Sequence, residues 1–253
     1  MQNAELRRYS KANKVIPVVL LLVFLVIALP MGGAAANAGY GYFAEPNRAI
    51  APSIPAEVIF ARSTDAVFMI ETFDSHGETI RTGSGFFISE TGLALTVLHV
   101  LDNAASATIT LYNGDVYPVR GANSVSEEFN LAVISIESDK TDWPYLALAD
   151  SDSIEVGNSV YVIGSPLGYF NTMTAGIIST VTREVEGAEL IQFTAPISFG
   201  SGGSPMLNSR GQVIGLASSS FSYGQHMNLA VPVNHIKSMP TGECVPLATL
   251  LSD

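Results

Sequence analysis

Three stretches of this chain hold residue types that do chemistry when brought together. The first is Gly83-Ser84-Gly85-Phe86-Phe87-Ile88, followed by Leu95-Thr96-Val97-Leu98-His99-Val100. An apolar strand pattern there ends in an imidazole, which takes up and returns protons near neutral pH. A short helical turn over Leu101 to Ala105 is expected to hold it. The second stretch is Phe129-Asn130-Leu131-Ala132-Val133-Ile134, a polar residue at the mouth of an apolar strand. The third is Ala195-Pro196-Ile197-Ser198-Phe199-Gly200-Ser201-Gly202-Gly203-Ser204-Pro205-Met206-Leu207. Its three glycines let backbone N–H groups point into a cavity, as a site for a developing oxyanion requires. Each stretch alone is a weak signal, since a lone histidine is more often a core residue and a glycine loop more often a turn. Their order and spacing give them weight.

The elements that must position these residues read as short strands. Apolar runs bounded by turn signals occur at 67–70, 85–88, 94–97, 108–111, 131–136, 159–163, 176–181, 190–193, 213–216 and 229–233. Asn113-Gly114 and Ser209-Arg210-Gly211 have the composition of hairpin turns. Ten or more short strands at this spacing predict an all-β sandwich or barrels rather than a βαβ fold. A strand-poor stretch from Glu137 to Val156, with Trp143 and Pro144, divides them into two halves of similar size. Residues 39–56 are rich in Gly, Ala and Pro and read as a linker. Residues 239–253 form a tail too short for another domain.

Together the three stretches resemble the trypsin-like serine peptidases, specifically the HtrA-like branch, here without a PDZ domain. In that family Gly-Ser-Gly-Phe leads to Thr-x-x-His, then Asp-Leu-Ala-Val, then Gly-x-Ser-Gly-(Gly/Ser)-Pro. Gly164-Ser165-Pro166-Leu167-Gly168 and Thr174-Ala175-Gly176-Ile177-Ile178-Ser179 resemble the loop and strand before the nucleophile. Gly224 to Pro232 resembles the specificity-pocket strand. The likeness covers about residues 57–238. It implies two six-stranded antiparallel β-barrels, about 57–140 and 156–238, with the site between them. It places His99 at the general-base position and the N–H groups of Gly200 and Gly202 in the oxyanion hole. It places Ser218, Ser219 and Ser220 at the strand edge that takes up substrate.

Two positions depart from the family. Asn130 stands where the family has the aspartate that orients the histidine, and Gly202 where it has the nucleophilic serine. In the reference triad of this fold, aspartate to asparagine costs roughly 10⁴ in turnover, and in a related triad loss of the serine costs about 10⁶. Ser201 is the alternative nucleophile, one residue early. Ser204 is two residues late, on the side the family turns away from the histidine. Glu127 or Glu128 would replace the missing acid only if their loop bent toward His99. The leading expectation is a pseudoprotease that binds peptide or protein segments in the inter-barrel cleft. The alternatives are an active serine endopeptidase using Ser201 with His99, and a structural envelope protein whose cleft is filled by Phe199 or the C-terminal tail.

Composition places that domain outside the cytoplasm. Arg7, Arg8, Lys11 and Lys14 precede an unbroken apolar run from Val18 to Leu29, and Ala36-Asn37-Ala38 offers a cleavage site. Residues 1–38 therefore read as a signal peptide, with an uncleaved anchor through Val15–Met31 as the rival. Either way the main domain is exported, to the periplasm, the exterior or the outer side of the cytoplasmic membrane. Past residue 38 the chain has 8 basic and 22 acidic residues, a net charge of −14, which disfavours nucleic acid. Cys244 is the one cysteine and has no cation near it in sequence to activate it. His76, His226 and His235 lack metal-ligand spacing, so no metal or other cofactor is expected. Phe221, like Phe199, is expected to pack near the site.

Overall fold

The computed structural model describes residues 53–169, 171–218, 227–239 and 242–250. The basic and apolar N-terminal segment, including Val15–Met31 and Ala38, lies outside the described residues. Among the described residues no helix is long and apolar enough to cross a membrane.

Among the described residues, twelve strands close into two antiparallel barrels. Helix α1 (Ala56–Ser63) leads into the first, which comprises β1 (Val67–Phe73), β2 (Thr79–Phe87), β3 (Leu93–Val97), β4 (Ser106–Leu111), β5 (Val116–Ser126) and β6 (Leu131–Ile136). These join in the order β1-β2-β3-β6-β5-β4. The second comprises β7 (Ser159–Gly164), β8 (Thr172–Val185), β9 (Ala188–Phe193), β10 (Pro205–Leu207), β11 (Val213–Ser218) and β12 (Asn228–Pro232). Its order is β10-β11-β12-β9-β8-β7. Helices α2 (Val233–Lys237) and α3 (Leu247–Leu250) follow.

Side-chain burial explains why these segments are strands. In β6 (LAVISI) and β1 (VFMIETF) nearly every residue is buried, because one face fills the barrel and the other is covered. Phe68 meets Phe87 edge-on at 5.1 Å, and Phe87 stacks on Trp143 at 4.5 Å. Trp143 belongs to the strand-poor stretch, which therefore packs against barrel one. Its backbone N–H donates to Glu90, and that of Leu146 donates to Phe87. In barrel two, Val160, Ile178, Ile191, Phe193 and Ile214 form the interior.

Three local expectations need correction. β5 and β10 were not among the ten predicted runs. β5 (VYPVRGANSVS) has no apolar alternation and carries Pro118 and Gly121. Its register slips twice against β6, so period-2 patterning is lost. β10 is only three residues long and begins with proline. The helical turn near the histidine is a 3₁₀ turn over Leu98–Val100, which contains His99 rather than following it.

Candidate active-site cleft

His99 sits in that 3₁₀ turn at the end of β3. Asn130 precedes β6, the strand paired with β3, and this brings the two side chains together. Asn130 has φ of 51°, a left-handed conformation that asparagine tolerates better than most residues. Its amide makes two contacts with His99. The His99 backbone N–H donates to Oδ1 at 2.8 Å. Nδ2 lies 2.8 Å from Nδ1 of the ring.

The first contact decides the second. A backbone N–H can only donate, so the amide end facing it must be oxygen, and the NH₂ end must face the imidazole. Nδ1 then accepts, and the ring proton resides on Nε2. A carboxylate would accept at both ends and hold the proton on Nδ1, leaving Nε2 to act as a base. Asparagine in the same place yields the opposite tautomer.

Burial lowers the His99 pKa below its ordinary 6.5. The Asn130 hydrogen bond opposes this. The negative charge of Asp102 also favours the imidazolium, and the positive charge of Arg81 disfavours it. Glu127 and Glu128 are exposed, and Glu127 C=O accepts from Asn130 N–H at 3.1 Å. Asp102 and Arg81 escaped the sequence reading, because neither stands in the motifs that carried it.

The glycine loop folds onto the same cleft. Ser201 N–H donates to Ser198 C=O at 2.9 Å, and Gly200, third in this turn, has φ of 87°, as a type II turn requires. Gly203 has φ of 91°, and a Cβ there would lie 2.0 Å from the carbonyl oxygen of Ser84. Gly202 has no such left-handed φ, so its backbone is open to any L-residue. Among the described residues, neither the Gly200 N–H nor the Gly202 N–H has a hydrogen-bond partner.

Ser84 binds the loop to barrel one. It is fully buried, and its hydroxyl donates to Gly200 C=O at 2.6 Å and accepts from Ser165 N–H at 2.9 Å. Its backbone N–H donates to Gly202 C=O at 2.8 Å, and its carbonyl accepts from Thr96 Oγ1 at 2.8 Å.

A cavity of about 360 Å³ opens here, lined by Arg81, Thr82, His99, Val100, Phe199, Gly200 and Gly202. Phe199 is 85% exposed on its rim and does not fill it. Ser201, the alternative nucleophile, lines a different cavity of about 190 Å³, with Val162, Thr174 and Pro196. Its hydroxyl accepts from Ser198 N–H at 3.3 Å, and the residue is buried. It thus serves the turn rather than the His99 cavity. Ser204 is fully buried with no partner for its hydroxyl among the described residues, and packs against Gly164.

Of the expected substrate edge, Ser218 is described: its side chain is fully buried and its backbone is in register with Leu229 of β12. Ser219, Ser220, Phe221 and His226 lie outside the described residues. His235 stacks on Phe129 at 4.2 Å, and the N–H of exposed His76 donates to Asp74 Oδ1 at 2.8 Å in a turn. Among the described residues no cluster of three metal-binding side chains occurs.

Comparison with known proteins places this geometry. Residues 83–216 match the family model described as the Trypsin-like peptidase domain. The serine protease HTR4 of Rattus norvegicus is 34% identical over 207 residues, covering 78% of this chain and 40% of that protein. A DegP-like periplasmic serine endoprotease of Chlamydia trachomatis is 36% identical over 138 residues, covering 53% of this chain and 27% of that protein. A solved structure of the HtrA-type protease AlgW with tripeptide has a TM-score of 0.65 at 27% identity. That match covers 73% of this chain and 62% of the other. The chain spans less than half the length of these curated relatives.

Proposed function

The chain belongs to the trypsin-like peptidase family, in its HtrA-like branch, and from that premise we propose a member that binds peptide or protein segments between its barrels without cutting them. The observation that carries this reading is the amide of Asn130 against Nδ1 of His99, beside a glycine at the nucleophile's place. With no hydroxyl at Gly202 there is no acyl-enzyme. With the ring proton on Nε2 there is no base to activate a substitute. The N–H groups of Gly200 and Gly202 remain as donors, and the cavity beside them is open. An extended segment would enter by adding to the strand edge beyond Ser218, as in β-augmentation.

The basic and apolar N-terminal segment supports action outside the cytoplasm, as a cleaved or anchored exported protein. Cell fractionation checks this: recovery of the chain in the cytoplasm alone would overturn it.

Labelling and binding test the central reading. The full chain, treated with a tagged fluorophosphonate, is expected to stay unmodified and to leave denatured casein intact, yet to bind it. Labelling that maps to Ser201, with casein turnover lost in Ser201→Ala, would establish the active peptidase instead. Absence of both labelling and casein binding would favour a structural envelope role.

A further inference from the structure

Asn130 and Gly202 are each a defect if the site is judged as a nucleophile's, but they act in the same direction if the site holds an anion. The amide of Asn130 leaves the proton on Nε2, so the ring presents a donor where a peptidase presents an acceptor. Gly202 removes the side chain from the point where a hydroxyl would stand. Gly200 and Gly202, whose N–H groups have no partner among the described residues, line the same cavity as His99. Arg81 lines it too. Its guanidinium donates to the backbone carbonyl of Asp102 at 2.5 Å, a neutral acceptor that leaves the cationic charge in place. None of the described lining residues is acidic, although the chain carries a net charge of −11.

We infer that this cavity is a receptor for the C-terminal carboxylate of a bound peptide. One carboxylate oxygen accepts from the N–H groups of Gly200 and Gly202. The other occupies the space beside Gly202 and accepts from Nε2–H of His99, with Arg81 supplying the positive charge. A carboxylate has about four lone-pair positions on two oxygens, enough for all these donors. Hydrogen bonds to an ionised acceptor are roughly twice as strong as those between neutral groups. An internal peptide bond fits less well. Its carbonyl oxygen suits the two N–H groups, but its nitrogen offers Nε2–H no acceptor. The exposed ring of Phe199 on the rim gives the peptide's last residues an apolar surface. The donor set therefore prefers a chain end to a chain interior, which is the preference of a protein that holds a product of cleavage rather than a substrate.

This inference rests on the reading that the cleft takes up peptides, and the test separates the two. An N-terminally fluoresceinated octapeptide library is synthesised as free acid and as carboxamide, and binding to the full chain is followed by anisotropy. The free acid is expected to bind about tenfold or more tightly than the amide, the scale of a charge-assisted hydrogen bond. Arg81→Gln is expected to reduce that ratio several-fold. His99→Ala, which removes the Nε2–H donor, is expected to reduce it likewise. Equal binding of both library forms would overturn the carboxylate receptor while leaving peptide binding intact. No binding of either form would overturn both readings. Displacement of the free-acid library by inorganic phosphate at the same concentration as peptide would show a general anion site and overturn the assignment to a chain end.

Discussion

At the scale of single residues, the chemistry turns on which atom of Asn130 faces which atom of His99. The backbone N–H of His99 selects the amide oxygen, and the ring is left with the amide nitrogen. This reasoning makes reactivation testable. Gly202 has an ordinary backbone conformation and Asn130 a left-handed one that aspartate tolerates as well. The double variant Gly202→Ser with Asn130→Asp is therefore expected to react with fluorophosphonate and hydrolyse activated esters. Gly202→Ser alone is expected to be slower by roughly 10⁴, because its histidine keeps the wrong tautomer. Equal rates for the single and double variants would show that Asn130 does not set the tautomer. The same pair governs pH behaviour. Burial lowers the His99 pKa, so the unfolded chain takes up this proton at higher pH than the folded one. Stability contributed by the neutral ring is present above about pH 6.5 and is lost as pH falls through the lower folded value. His99→Gln is expected to flatten that part of the stability profile in urea titrations. Asn130→Asp is expected to raise the ring's titration midpoint, followed by NMR.

At the scale of elements, one buried serine joins the glycine loop to barrel one. Ser84 on β2 bonds through its hydroxyl to Gly200 C=O and Ser165 N–H, both in barrel two. Ser84→Ala leaves both groups without that partner in a buried place, at a cost of about 1–3 kcal/mol. Denaturant unfolding measures it, and peptide affinity is expected to weaken as well, since Gly200 belongs to the donor pair. Ser204→Ala is the contrast. Its hydroxyl is buried with no partner among the described residues, so removal is expected to be neutral or stabilising. The elements also show what the sequence made legible. Strands such as β6 and β11 were visible because most of their residues are apolar and nearly all are buried. β5 was not, because a bulged strand with many half-exposed positions has no periodic signature. His99, Asn130 and Gly202 were found through the order and spacing of their motifs. Arg81 was not, because it stands on β2 two residues before the Gly-Ser-Gly-Phe motif and acts only through the folding of β2 against the loop. The role of Ser201 depended on turn geometry, which one residue of offset in a string of letters does not reveal.

At the scale of the whole molecule, the tail belongs to barrel one and not to the described lining of the cleft. Val245 exchanges two backbone hydrogen bonds with Ala122, at 2.8 and 2.9 Å, and Gly242 N–H donates to Asn123 C=O. These contacts cover β5 where its bulges interrupt pairing with β6. They also explain why Gly121 carries no side chain: a Cβ there would lie 2.2 Å from the carbonyl oxygen of Val245. Leu247 on α3 is buried and joins the main core. The tail therefore acts as a brace on the weakest-patterned strand of the first barrel, and stability and binding should separate there. Leu247→Ala is expected to cost about 2–4 kcal/mol, the range for truncating a buried leucine, seen as a lower urea midpoint. Peptide affinity at the cleft is expected to stay unchanged, because no described tail residue is among those lining the His99 cavity. A Leu247→Ala protein that gained affinity for peptide would show instead that the tail competes for the cleft, and would return the molecule to the class of envelope proteins whose cleft is closed by their own chain.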